Sequence, residues 1–134
     1  MVSKYLHKVK YYECDGMAIT HHSNYIRFME EARIDVLDQV GYGFEKMEAD
    51  GISSPVVSVS AEYKKPTRFQ DVIEIEVFVV ELGKLKMTFG YEMKCNGALV
   101  FKGQSVHCFF AEGRPIVLAD RYPGLYEELV KLQR

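Results

Sequence analysis

Apolar residues recur at helical spacing in one long stretch, from residue 23 to residue 40. Tyr25, Phe28, Met29, Ala32, Val36 and Val40 fall on one stripe, flanked by Ile26, Arg33 and Leu37. That period predicts a long amphipathic helix with one side turned to a core. Ser23 or Thr20 stands where a cap belongs, and Gly41 is a suitable stop. Ahead of it, Lys4 to Tyr12 alternates loosely and predicts a first strand.

Beyond the helix the period changes to two. A helical turn is expected around Glu45-Ala49. Val57, Val59, Ala61 and Tyr63 then oppose Ser58, Ser60, Glu62 and Lys64, and Pro66 ends that strand. Ile73, Ile75, Val77 and Val79 mark another strand, and Met87, Phe89, Tyr91 and Met93 the next. Leu82-Gly83-Lys84 reads as a tight turn. Asn96-Gly97 is a strong hairpin signal, because both residues tolerate positive φ. A long strand runs from Leu99 to Phe110, Gly113-Arg114-Pro115 breaks it, and Tyr122 to Leu132 predicts a terminal helix. Strand, long helix, then four strands joined largely by short turns describes an α+β layer with antiparallel neighbours.

Composition narrows the class. A chain of 134 residues with 48% hydrophobic content can fill the core of one domain. The formal net charge of -2 offers no basic field for nucleic acid. No apolar run approaches a membrane span, and MVSKYLHKVK lacks the apolar centre of a signal peptide. Cys14, Cys95 and Cys108 have no metal-type spacing and read as reduced thiols of a cytoplasmic protein.

The candidate chemistry sits between Tyr11 and Arg33, in YYECDGMAITHHSNYIRFMEEAR. Asp15 lies in a polar turn just before the helix. A carboxylate there can act as nucleophile, as general base, or merely as a turn cap. The free N–H groups of a helix start can hold a developing oxyanion. His21 and His22 stand beside it, but no HExxH-type spacing accompanies them, so no metal is expected. Cys14 has no base at defined spacing, and His107, in a late strand, reads as structural. Arg33 is expected to anchor the helix through a charge pair, and Asn24 to help start it.

These residues resemble the signature of hotdog-fold acyl-CoA thioesterases of the 4-hydroxybenzoyl-CoA thioesterase type. That family shows a tyrosine, three residues, an aspartate, a short Gly-containing turn, a histidine or tyrosine, then Asn-Tyr and a helix arginine. Tyr11, Asp15, His22, Asn24, Tyr25 and Arg33 stand at those places, with no gap from Asp15 to Tyr25. Two positions depart from the pattern. Ala18 stands where the family often has glycine, and His21 where it often has tyrosine.

The resemblance implies a hotdog fold over residues 1–134, a five-stranded antiparallel sheet wrapped around one long central helix. It implies a homo-oligomer, a dimer or a dimer of dimers, with sites at the subunit interface. It implies hydrolysis of acyl-CoA to a free acid and CoA. Asp15 would be nucleophile or base, Tyr11 a hydrogen-bonding neighbour, and His22 with Ser23 the oxyanion-holding helix start. Gly83, Lys84 and Lys86, with Ser58 and Ser60, would hold the CoA portion. No metal or redox cofactor is implied. Glu30 and Glu31, where another hotdog group has its catalytic acid, are expected to be surface or interface charges. Two rivals stay open: a thioesterase acting on acyl-carrier protein, and a protein that binds acyl thioesters without turnover.

Overall fold

The structure, a computed structural model, describes residues 2–134. Helix α1 covers Ser23–Gln39, and Gly41 follows it at φ +88, a left-handed turn that ends the helix. No proline or glycine interrupts α1. Its stripe of Tyr25, Phe28, Met29, Ala32 and Val36 is fully buried, as the spacing predicts. Each large side chain on that stripe contributes roughly 1.5–3 kcal/mol by leaving water.

The strands are β1 (Tyr5–Lys8), β2 (Ile52–Ser53), β3 (Val56–Tyr63), β4 (Val72–Leu82), β5 (Lys86–Cys95), β6 (Ala98–Cys108), β7 (Phe110–Ala111) and β8 (Arg114–Pro115). Five of them form one antiparallel sheet in the order β1-β4-β5-β6-β3. Register sorts their faces. Ile75 pairs with Met93, Met93 with Phe101, and Phe101 with Tyr63, so all four share a face. Helix α1 packs on that face. Tyr25 stacks on Phe101 with ring centroids 5.1 Å apart, and Arg33 Nη1 donates to Tyr91 Oη at 3.0 Å. Asn96 and Gly97 both take positive φ, at 52 and 81, and close the β5–β6 hairpin as their sequence predicts.

The chain departs from its sequence-based outline in several places. The first strand ends at Lys8, and Tyr11–Glu13 forms a single 3-10 turn instead of the strand end. A carboxylate causes the change: Glu13 Oε1 accepts the Lys10 N–H at 2.8 Å and folds the backbone back. Strands β2, β7 and β8 make a second, three-stranded sheet. Its strands are two residues long, too short to show a period. Arg114 and Pro115 therefore pair with Ala111 and Phe110, where a break was expected. Short helices α2 (Phe44–Ala49), α3 (Leu118–Arg121) and α4 (Pro123–Lys131) complete the fold. Pro123 at the first position of α4 costs no hydrogen bond there, and Leu125 and Leu129 are buried. Among the described residues no helix is long and apolar enough to cross a membrane.

Candidate active site

Asp15 opens a tight turn. Its N–H donates to the Ile19 carbonyl at 2.9 Å, and the Ala18 N–H donates back to the Asp15 carbonyl at 2.9 Å. Its Oδ1 accepts the Met17 N–H at 2.8 Å. One carboxylate oxygen is thus fixed in an Asx turn, while Oδ2 has no protein donor among the described residues. Ala18 closes this turn at φ +62. That conformation suits glycine, which the family often has here, and strains an alanine by about 1 kcal/mol.

The helix start supplies the complementary donor. The N–H of Asn24 is taken by the His21 carbonyl at 3.0 Å and that of Tyr25 by the His22 carbonyl at 3.2 Å. His21 Nδ1 accepts the Ser23 N–H at 3.2 Å and lies 2.8 Å from Ser23 Oγ. An accepting Nδ1 leaves the neutral ring's proton on Nε2. His21, which stands where the family often has tyrosine, acts as the side-chain cap in place of Ser23 or Thr20. The His22 N–H alone in this first turn has no protein acceptor among the described residues.

Asp15 and His22 line one groove of about 310 Å³, with Met17, Tyr25, Tyr63 and Lys65 among its walls. Its floor is tied by hydroxyls. Thr67 Oγ1 lies 2.7 Å from Thr20 Oγ1 and 2.8 Å from Tyr25 Oη, all buried. Tyr63 Oη donates to the His22 carbonyl at 3.2 Å, and its ring meets His22 edge-on. A larger recess of about 520 Å³ between the edge of β3 and the small sheet touches Ser53, Ser54, Phe110 and Glu112. It joins no carboxylate to a helix start, whereas the smaller groove brings Asp15 beside His22.

Sequence reasoning passed over what stands behind this groove. His7 Nε2 and Glu13 Oε1 lie 2.8 Å apart and both residues are buried. The Glu13 carbonyl accepts the His21 N–H and Asn24 Nδ2, each at 2.8 Å, binding the Asp15 turn to the first turn of α1. Asn24 so helps the helix start, as expected, through its side chain. The one available signal was the alternation of β1, which turns His7 inward. A second buried chain runs Arg33–Tyr91–Ser105–His107, with Tyr91 Oη 2.6 Å from Ser105 Oγ and Ser105 Oγ 2.7 Å from His107 Nε2. Arg33 thus anchors α1 to a phenol; its carboxylate neighbour Glu30 stays 3.9 Å away. Burial, then the nearby Arg33 charge, pushes His107 down to about 4.

Other expected site residues are not gathered by one chain. Tyr11 points outward, 77% exposed and edge-on to Phe69, because the 3-10 turn rotates it away from Asp15. Ser58 and Ser60 pair with Val106 and Gln104, on the face opposite α1. Gly83, Lys84 and Lys86 lie at the far end of the sheet. Lys86 is seven residues along β5 from Met93, whose row contains Tyr63, and so about 24 Å from the groove end.

Comparison with known proteins agrees with this fold. Residues 9–120 match the family model of the thioesterase-like superfamily. The chain belongs to that superfamily, and its class is that of thioester hydrolases. A protein of Aquifex aeolicus, provisionally an esterase, is 36% identical over 110 residues, 82% of this chain and 86% of that one. YneP of Bacillus subtilis, provisionally an acyl-CoA thioesterase, is 30% identical over 136 residues, covering 99% of each chain. The crystal structure of DHNA-CoA thioesterase from Staphylococcus aureus superposes with a TM-score of 0.89. It is 27% identical and covers 96% of this chain and 89% of that one. The resemblance read between Tyr11 and Arg33 is thereby borne out at the level of family and class.

Proposed function

We propose that this protein hydrolyses acyl-CoA thioesters to a carboxylic acid and CoA in the groove between Asp15 and the start of α1. One observation carries the reading: a carboxylate oxygen with no donor and an N–H with no acceptor, among the described residues, share that groove. Asp15 Oδ2 attacks the thioester carbon, the CoA thiolate leaves, and water hydrolyses the resulting anhydride. Alternatively Asp15 takes a proton from the water that attacks. In either route the tetrahedral oxyanion accepts the His22 N–H at the positive end of α1, a contact worth about 3 kcal/mol in the transition state. No metal or redox cofactor takes part in either route.

The active unit is a homodimer or a dimer of dimers. Strand β3 is an edge of the sheet, and Val57, Val59 and Tyr63 on it are exposed. Pairing two such edges about a two-fold axis gives a continuous antiparallel sheet. Lys84 and Lys86 join a site only across such a subunit boundary. The enzyme works in the cytoplasm, where its three free cysteines stay reduced.

The test is thiol release from short, long and aromatic acyl-CoAs, 1,4-dihydroxy-2-naphthoyl-CoA included. Asp15→Asn is expected to lower kcat by at least ~100-fold. Hydrolysis by Asp15→Asn at the parent rate would refute the assignment.

A further inference from the structure

Glu13 joins three parts of the chain. Its Oε1 accepts from the Lys10 N–H and from His7 Nε2, both at 2.8 Å. Its N–H donates to the Lys10 carbonyl at 3.0 Å. Its carbonyl accepts the His21 N–H and Asn24 Nδ2, each at 2.8 Å. With Oε1 accepting both bonds, the proton shared with His7 stays on Nε2. His7 carries these ties into the core. Its strand β1 pairs with β4, so that His7 stands opposite Ile73. Its ring lies on Phe28 of α1 with centroids 4.0 Å apart, and its Nδ1 is 4.0 Å from Glu31 Oε2, one turn further along that helix. Both His7 and Glu13 are buried.

The Glu13 carbonyl is the base rung of a short hairpin. Glu13 is bonded to His21, Cys14 bridges antiparallel to Thr20, and the Asp15 N–H donates to the Ile19 carbonyl at 2.9 Å. Asp15 lies two residues past the rung on one arm, and His22 follows the rung on the other. One bond therefore sets the place of both the carboxylate and the His22 N–H. Asn24 Nδ2, on the same carbonyl, ties the rung to the first turn of α1. The peptide that carries the His22 N–H is held at its other end too, where the His21 carbonyl accepts the Asn24 N–H at 3.0 Å.

Resting on the thioesterase reading, we propose that Glu13, oriented by His7, is a positioning residue for hydrolysis. It acts through its carbonyl, which holds the His22 N–H at the spot where the oxyanion forms beside Asp15. Misplacing such groups by about 1 Å can cost about a hundredfold in rate. The other buried polar chain, Arg33–Tyr91–Ser105–His107, runs from α1 to β5 and β6 and makes no bond to the Asp15 turn among the described residues. It supplies the control.

The experiment measures kcat and KM on the best acyl-CoA of the panel, corrected for the folded fraction seen by circular dichroism. Glu13→Met keeps the side chain's length and removes the acceptor. His7→Phe keeps a ring on Phe28 and removes the donor. Glu13→Gln keeps an oxygen that accepts both N–H groups. Glu13→Met is expected to lower kcat about thirtyfold, and His7→Phe about fivefold because the Lys10 N–H still holds Oε1, each with KM within about twofold. Glu13→Gln should stay within about threefold of the parent, and Ser105→Ala should keep the parent kcat while lowering Tm. Parent kcat in Glu13→Met, a change in KM alone, or equal losses in Glu13→Met and Glu13→Gln overturn the proposal. So does a loss in Ser105→Ala as large as that in Glu13→Met. If Glu13→Met does not fold, the same comparison between His7→Phe and Glu13→Gln decides.

Amide exchange read by NMR separates this proposal from the reading it rests on. The His21 N–H should exchange at least about tenfold faster in Glu13→Met and recover in Glu13→Gln, with β5 and β6 protected as in the parent. That result supports the rung even if no acyl-CoA in the panel is hydrolysed, an outcome that counts against the thioesterase reading alone. Unchanged His21 exchange in Glu13→Met overturns the rung, and Asp15-dependent hydrolysis would then leave the thioesterase standing.

Discussion

Lowering the pH should unfold this protein through one buried ring. Arg33 can only donate, so Tyr91 accepts from it, donates to Ser105, and Ser105 donates to His107 Nε2. The chain of hydroxyls points one way and fits a neutral imidazole. His107 is 2% exposed, and among the described residues its Nδ1 has no partner within hydrogen-bonding geometry, the Ser54 backbone alone lying near enough to favour a proton weakly. Burial foremost, and Arg33 after it, hold its pKa at about 4 against an ordinary 6.5; the Ser54 backbone raises it slightly. Above pH 6.5 the ring is neutral folded and unfolded, and its contribution does not vary. Between 6.5 and about 4 the unfolded chain binds a proton that the folded chain refuses, so stability falls as pH falls. At 1.36 kcal/mol per pH unit the loss by pH 4 is about 3 kcal/mol. Urea unfolding of the parent and of His107→Gln at pH 7, 5.5 and 4 isolates this from the carboxylates, which both chains share. The parent should lose about 3 kcal/mol more than the variant across that range. Equal losses would show that His107 takes up its proton as readily folded as unfolded, and the reasoning would fail.

Ala18→Gly should relieve the left-handed turn beside Asp15 and raise stability by about 1 kcal/mol, or roughly 4 °C in Tm; a lower Tm would contradict the strain. His21→Ala should cost about 1 kcal/mol in chemical unfolding through loss of the Ser23 cap, and no loss would mean that water serves as well. Gly90→Ala would drive a Cβ into the Phe78 ring and to 2.7 Å from Val80 Cγ2. It should cost about 1–3 kcal/mol, measured by thermal unfolding.

How far the sequence foretold this molecule depended on distance along the chain. Helix α1 was legible because its stripe repeats over several turns, and the β5–β6 hairpin because Asn96-Gly97 is local chemistry. Asp15 was legible by its place before a helix start. The 3-10 turn at Tyr11 was not, because Glu13 folds the backbone through a side chain that strand alternation ignores. His21 as cap was hidden, since a histidine ring seldom fills that place. The Arg33–Tyr91–Ser105–His107 chain joins residues up to 74 positions apart and exists only once β5 and β6 hold their register beside α1. Ser58 and Ser60 illustrate the converse. Their alternation was correct, yet parity alone does not say which face the helix covers.

The open side of β3 carries a further consequence for handling and for life in the cell. Unpaired N–H and C=O groups beside exposed valines form a template on which any extended segment can add. In the proposed dimer that edge is paired, so dilution that releases single subunits would uncover the template, and losses at low concentration should end in precipitate as well as in inactivity. The proposed self-association would then guard the chain against amyloid-like pairing.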